Sequence, residues 1–391
     1  MGSATTRAGR RGWSVARSSA ALTLPGPPEA LATALLRWYA EQKRDLPWRG
    51  LADPYAIWVS EVMLQQTQAA VVGPYFERFL KRFPTVQSLA EAQIGDVLGL
   101  WSGLGYYARA RTLHRAAQVI AEGGFPSSHE GLRALPGFGP YTAAAVGAIA
   151  FGFPEPAIDG NAVRVYARLC GLKAPRLTAE PLLREVARPL MTTAAGSPGD
   201  LNQAIMDLGQ RVCTVRSPHC LLCPWRERCR ALAMGTVAEI PVRTKAKARK
   251  QLTVLAAVAR QGGKLLLARR RESGLFGGLW ELPSVDSPAP SDLAAALKLE
   301  LGLTATIGAP LGTTERILTH RDLTLTGHAA KLRGRPLPRV DGASLEARWV
   351  ETSELRQLGL STATRQLLAV LDGAEAPSPK PATKPRPRRA L

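Results

Sequence analysis

The sequence predicts a multidomain chain, with an all-α domain over residues 29–235, a basic linker at 236–250 and an α+β domain over residues 251–372. Three observations predict this. From Glu29 to about Ala233 apolar residues recur at three and four positions, the period of a helix face, as between Val97 and Ile120. Short breaks such as Gly123-Gly124 and Pro126 separate these segments. After residues 243–251, which hold five basic residues and no acid, the pattern changes. Leu252–Val258, Lys264–Arg269 and Asp322–Leu332 read as strands, and Asp292–Leu301 reads as a helix. A chain of 391 residues, 46% hydrophobic, can bury two or three cores. No apolar run reaches the length of a membrane span, so a soluble chain with no membrane partner is expected.

The charge balance narrows the function classes. The formal net charge is +20; removing +4 for each terminal segment, 1–28 and 374–391, leaves +12 on residues 29–373. A folded body this basic favours a polyanionic partner, with nucleic acid the first candidate. Residues 1–28 are Arg- and Ser-rich and acid-free, similar to a transit peptide, and read as a disordered basic arm. Residues 373–391, rich in Pro, Lys and Arg, read as a disordered basic tail.

Four segments carry chemistry. Glu61 stands in an otherwise apolar run with Ile57, Trp58, Val62 and Leu64. A carboxyl so enclosed has its pKa raised by desolvation, which suits a general acid. Gly137 and Gly139 form a tight turn before a small-residue helix, whose first N–H groups can hold a DNA phosphate without reading a base. A plain Gly-Pro connector is the alternative. Asp159 lies in a Pro/Gly-bounded turn before a helix, where on its own it reads as an N-cap. Cys213, Cys220, Cys223 and Cys229 are spaced C-x6-C-x2-C-x5-C. Thiolates in one loop bind soft metals, and this spacing suits a cubane iron–sulfur cluster better than the paired cysteines of a zinc site. Disulfides fit poorly, because Cys170 is left over; it reads as a packed core thiol.

Over residues 29–235 the hairpin at 135–146, Asp159 and the cysteine loop at 213–229 together resemble the endonuclease III superfamily of helix–hairpin–helix DNA glycosylases. The segment 58–68 is similar to that of the MutY-type adenine glycosylases within it. Tyr141 stands where bifunctional relatives place a catalytic lysine. Without that amine no Schiff base forms at the sugar, and a monofunctional enzyme is expected. Residues 275–283 resemble the opening of a Nudix (MutT-like) domain, which MutY-type glycosylases carry. Aligned on Ala295–Leu303, Ala295-Ala296 replace the usual Arg-Glu, and Leu299 replaces one of two paired glutamates, leaving Glu300. One carboxylate is a poor magnesium site, so a recognition module is expected rather than a hydrolase. The family's Phe-Ser-His recognition loop becomes Leu318-Thr319-His320, which keeps a hydroxyl and the histidine and loses the aromatic.

The resemblance implies a base-excision-repair glycosylase that flips out adenine mispaired with 8-oxoguanine or guanine and hydrolyses its N-glycosidic bond. It implies that protonated Glu61 donates to adenine N7, that ionised Asp159 stabilises the cation at C1′, and that Tyr141 and Asn161 position them. Gln66 and Tyr106 would wedge into the duplex, while Tyr107 reads equally well as a buried tyrosine. Trp48, Arg49 and Gln203 would line the adenine pocket. A 4Fe-4S cluster on Cys213, Cys220, Cys223 and Cys229 would shape a loop bearing Arg216, Arg226, Arg228 and Arg230. The expected partner is double-stranded DNA containing A:8-oxoguanine or A:G mispairs, met by a monomer. The expected location is cytoplasm or nucleoid in a bacterium, nucleus or mitochondrion in a eukaryote. The alternatives are an endonuclease III-type or mismatch thymine glycosylase, a non-catalytic DNA-binding protein, and a Nudix hydrolase.

Overall fold

The computed structural model describes residues 22–193, 195–244, 248–337 and 344–373. Most of the expected basic arm, the carboxyl-terminal tail beyond Gly373 and the middle of the linker lie outside the described residues.

Helices run from Pro28–Gln42 to Arg230–Ala233, and their apolar faces sort them into two cores. The first is built between Trp48 and Val146, with Trp58, Phe79, Phe83, Leu89, Trp101 and Leu113 almost wholly buried. The second joins Leu31, Leu35 and Tyr39 of the first helix to the helices Gly160–Cys170, Arg176–Met191 and Pro198–Arg211. The chain therefore starts in one lobe, builds the other, and returns through Ala157 and Ile158.

Two helices lie where the lobes meet. In Pro54–Leu64 every residue from Tyr55 to Met63 is buried, and in Pro140–Phe151 every residue from Thr142 to Ala148 is buried. Neither has a polar face, because each is covered on all sides. Ala144, Ala145 and Ala157 form a small cluster there, with Tyr141 and Met206 packed against it. The close approach depends on glycine. A Cβ on Gly199 would lie 2.8 Å from Ile149 Cα across the lobe boundary; within the second lobe, one on Gly209 would lie 2.7 Å from Asn161 Cβ.

The carboxyl-terminal domain has strands β1 (Lys250–Val258), β2 (Arg260–Gln261), β3 (Lys264–Arg270), β4 (Trp280–Glu281), β5 (Ser284–Asp286), β6 (Thr304–Ile317), β7 (Arg321–Arg333) and β8 (Ser344–Glu351). One sheet is ordered β5-β1-β7-β6, with β1 and β7 parallel; the other is ordered β2-β3-β4, with β8 also on β3. Period-two alternation splits the β1 side chains between two cores. Leu252, Ala256 and Val258 share one with Ala363, Leu367 and Leu368 of the helix Thr362–Leu371. Leu255 and Ala257 share the other with Leu293, Leu297 and Leu301 of the helix Pro290–Leu301.

The sequence reading finds β1, β3, β7 and the helix at 290–301, and misses the short strands β2, β4 and β5, the longer β6 and β8, and the helix Thr362–Leu371. β6 is an edge strand with mostly exposed side chains, and its register shifts around Pro310, so it has neither clean alternation nor a continuous apolar run.

The second domain is keyed into the first. Leu279 belongs to the first helical core, and Phe276 packs against the cores of both domains. Ser102 donates to the Leu360 carbonyl at 2.8 Å and accepts from Arg365 at 3.0 Å, while the buried Tyr107 donates to the same carbonyl at 3.2 Å. Tyr107 is thus a buried tyrosine rather than a wedge.

Gly199→Ala tests the lobe contact. The added methyl meets backbone, Ile149 Cα and the Ala148 carbonyl at 3.0 Å, which cannot swing aside. The gain in helix propensity, about 1 kcal/mol, is outweighed by the overpacking. A net loss of about 1–3 kcal/mol in urea unfolding is expected; unchanged or raised stability would show that the helices are not in contact here.

A candidate active site between the two lobes

Glu61 is placed by its helix. Asp53 caps the helix, accepting from Tyr55 N at 3.0 Å and Ala56 N at 3.3 Å, and Pro54 opens the first turn. Glu61 is 5% exposed, and Tyr141 donates to its Oε2 at 2.8 Å. Burial raises the Glu61 carboxyl from 4.5 to about 7; the Tyr141 hydrogen bond and Arg49 oppose the rise, and Asp159 adds to it. With Oε2 engaged by Tyr141, Oε1 is the carboxyl oxygen left for transfer of a proton. Burial, with the charges of Glu61 and Asp159, holds the Tyr141 hydroxyl well above its ordinary range, so it stays a donor.

From the other lobe, Asp159 caps the helix Gly160–Cys170. Its Oδ1 accepts from Ala162 N at 2.7 Å and its Oδ2 from Asn161 Nδ2 at 2.9 Å. Asn161 accepts in turn from Arg164 at 2.9 Å, and Arg164 also donates to the Gly209 carbonyl at 2.6 Å and the Cys213 carbonyl at 2.7 Å. The segment leading to Asp159 is stapled by the buried Asn202, which accepts from Ala157 N at 2.8 Å and donates to the Glu155 carbonyl at 2.9 Å.

Beside these groups is an ion cluster the sequence reading did not single out. Asp207, fully buried, accepts from Arg44 Nε at 2.9 Å and from Arg49 at 3.0 Å, and Arg49 also donates to the Tyr39 hydroxyl. A signal was present: Asp207 stands among Ile205, Met206 and Leu208, as Glu61 does among its apolar neighbours. Of the expected pocket residues, Arg49 joins this cluster. Gln203 is half-buried on the same helix as Asp207, one turn earlier. Trp48 is built into the first core, edge-on to Phe76 at 5.6 Å.

A second group of expected residues faces outward. Gln66 and Tyr106 have left-handed backbones, with φ of 58° and 50°, and Tyr106 is 45% exposed. The Tyr106 hydroxyl hydrogen-bonds Thr319 Oγ1 at 2.7 Å across the domain boundary. Thr319 and His320 form the exposed tip of a tight turn closed by Leu318 N donating to the Arg321 carbonyl at 2.8 Å. Leu318 packs against the domain core instead of facing outward, so an aliphatic side chain serves there as an anchor. Gly137 has φ of 77°, and a Cβ there would strike Thr112; Gly139 is the N-cap of Pro140–Phe151.

Cys213, Cys220, Cys223 and Cys229 line one cavity with Trp225 and Arg168, and none is in a disulfide. Arg168, 2% exposed, lies 3.3 Å from Cys213 Sγ and holds the Thr214 carbonyl at 2.7 Å. Burial, with the other three cysteines adding to it, pushes the Cys223 thiol up to about 12. Among the described residues no group of three or more His, Cys, Asp or Glu is drawn tightly enough together to hold a metal ion as placed. The donor set itself, four free thiols on one cavity, fits a thiophilic group. Cys170 is buried, 4% exposed. In the second domain Leu299, at the position of one of the family's paired glutamates, is 58% exposed.

The buried Glu61 carboxyl couples folding to pH. Its folded pKa is raised, so the folded state holds the proton more tightly than the unfolded chain. Its contribution to stability is complete below pH 4.5 and is lost as pH rises through about 7. Relative to Glu61→Gln, the wild type should lose up to about 3 kcal/mol across that window in urea melts. Parallel pH curves for the two proteins would mean that Glu61 is solvated.

The helical and mixed domains both match known families. Residues 59–189 match a model described as HhH-GPD superfamily base excision DNA repair protein, and residues 254–370 match the NUDIX domain. The adenine DNA glycosylase of Homo sapiens is 35% identical, across 88% of this chain and 74% of its own. That of Mus musculus is 34% identical, across 88% and 78%. A solved thermostable thymine-DNA glycosylase is 28% identical, covers 53% of this chain and 97% of its own, and has a TM-score of 0.48. A base-excision glycosylase domain followed by a Nudix domain, with relatives of this identity along most of its length, means that the chain belongs to the adenine DNA glycosylase family and removes adenine in DNA base-excision repair.

Proposed function

We propose that the adenine removed is the one mispaired with 8-oxoguanine or guanine in duplex DNA, and that a single chain both reads the mispair and breaks the bond. The observation that carries the chemistry is the pairing of two unlike carboxyls: Glu61, buried and near neutrality in its pKa, and Asp159, hydrogen-bonded at a helix N-terminus. Adenine must leave the stack to reach them. Glu61 then gives its proton to N7 of the flipped base, so that the base departs neutral. Asp159 stabilises the positive charge that develops at C1′ and directs the water that completes hydrolysis. Tyr141 orients the Glu61 carboxyl, and Asn161 orients Asp159. Arg49, Trp48 and Gln203 shape the space for the base. Tyr141 offers no amine, so the sugar is left intact as an abasic site.

Gln66 and Tyr106 enter the duplex beside the mispair, the N–H groups beginning at Gly137 and Gly139 hold a phosphate, and Thr319 and His320 meet the base opposite adenine. The tip position of Thr319 and its bond to Tyr106 support that reading. Cys213, Cys220, Cys223 and Cys229 would hold a 4Fe-4S cluster; when bound, it fixes the loop at 213–229. That loop presents Arg216, Arg226 and Arg228, all exposed, to phosphates.

Single-turnover excision on A:8-oxoguanine, A:G and T:G duplexes tests the proposal. The adenine strand should break only after alkali, fastest opposite 8-oxoguanine, and the rate should fall as pH rises through about 7, where Glu61 loses its proton. Glu61→Gln and Asp159→Asn should each bind the duplex and lose about 10³-fold in excision. Thymine removal, strand breaks without alkali, or wild-type rates in either variant would overturn the assignment.

A further inference from the structure

The side of the molecule that meets the duplex rests on two turns built by separate helices. One ends the Glu61 helix and carries Gln66; the other precedes the helix Ala108–Gly123 and carries Tyr106. Each places a side chain on a left-handed backbone, a conformation seldom adopted without glycine; among the described residues only Phe276 shares it. Both turns need an outside constraint to keep these two side chains projecting in register.

Arg109 lies between them. Its Nη1 donates to the carbonyls of Val62 at 2.9 Å, Met63 at 2.9 Å and Gln65 at 2.6 Å. Those carbonyls lie at the end of the Glu61 helix, where intrahelical donors run out. Its Nη2 donates to Thr67 Oγ1 at 3.2 Å, on the far side of Gln66, and to the carbonyls of Gly105 at 3.1 Å and Leu104 at 3.4 Å, immediately before Tyr106. The guanidinium also stands over the Tyr106 ring at 5.4 Å and over the Trp101 ring at 5.4 Å. A helix cap alone would need only the first three bonds. The others span to the second turn, and the planar fork of arginine is what lets one side chain reach both.

We propose that Arg109 is a positioning residue that sets Gln66 and Tyr106 as one unit, so that they enter the duplex together. Arg109 itself touches neither the departing base nor the reacting bond. The inference rests on the reading that Gln66 and Tyr106 enter the duplex beside the flipped adenine.

The test uses the full chain and a duplex carrying 2-aminopurine in place of the target adenine opposite 8-oxoguanine. The stopped-flow fluorescence rise reports flipping. Gln66→Ala, Tyr106→Ala and the double variant form a cycle on surface turns, where folding is not at stake. In the Arg109 background the double variant should depart from the product of the single effects by about tenfold. In an Arg109→Lys background, which keeps the charge but not the fork, the same cycle should become multiplicative. Thermal melting establishes that Arg109→Lys folds; if it does not, Thr67→Val, which removes one Nη2 partner, takes its place and should reduce the coupling. Multiplicative effects with Arg109 intact, or full coupling in the altered background, overturn the inference. If neither single substitution changes flipping, the reading of Gln66 and Tyr106 as wedges fails instead.

Discussion

The hydrogen bond from Tyr141 to the buried Glu61 carboxyl is the contact around which the helical domain is arranged. A carboxyl excluded from water keeps its proton to higher pH, and that exclusion requires apolar packing around it. The alanine-rich helix Pro140–Phe151 and the apolar helix Pro54–Leu64 supply the seal. Gly199 lets the opposite lobe approach to backbone contact. The cost of desolvating Glu61 is offset by the many apolar residues buried with it.

Closure of the lobes sets the second carboxyl as well. Asp159 is fixed at the start of a helix that belongs to the second core, so its position relative to Glu61 is a property of lobe packing and not of either helix alone. The same closure buries Asp207 against Arg44 and Arg49. A buried ion pair of this kind contributes little net stability, because desolvation of the charges cancels much of their attraction. It does fix where two guanidinium groups sit, and it places the charge of Arg49 near enough to Glu61 to oppose the rise in its pKa.

The carboxyl-terminal domain is joined to this machinery at two levels. Leu279 and Phe276 fill space in the first helical core, which makes the domain interface an extension of that core. The Leu360 carbonyl collects Ser102 and Tyr107 from the back of the turn that carries Tyr106, while Thr319 meets the Tyr106 hydroxyl at the front. Displacement of the second domain therefore cannot leave this turn unchanged. The absence of a paired carboxylate at Leu299, and the use of Leu318 as an anchor for the 318–321 turn, suit a domain that contributes a surface and not a metal-dependent reaction.

Much of this was legible in the residues alone. The three- and four-residue periodicity determined the helical domain, because burial of one helix face is a local rule. Glu61 was legible because a carboxylate among apolar neighbours breaks that rule, and the cysteines because thiols at fixed spacing in one loop already share a neighbourhood. Asp207 broke the same rule and could have been found the same way. What no local pattern encodes is the identity of a distant partner. Arg44 and Asp207 are 163 residues apart, and Ser102 and Leu360 are 258 apart. Nothing in the sequence around Arg109 marks it out from its neighbouring cations, and the exposed edge strand β6 shows no clean alternation. Periodicity reports which side of an element is buried, but hydrogen-bond partners are set by how whole elements pack. For this reason only the tertiary structure decided that Arg109 joins two turns, that Trp48 lies in a core, and that Tyr106 meets Thr319.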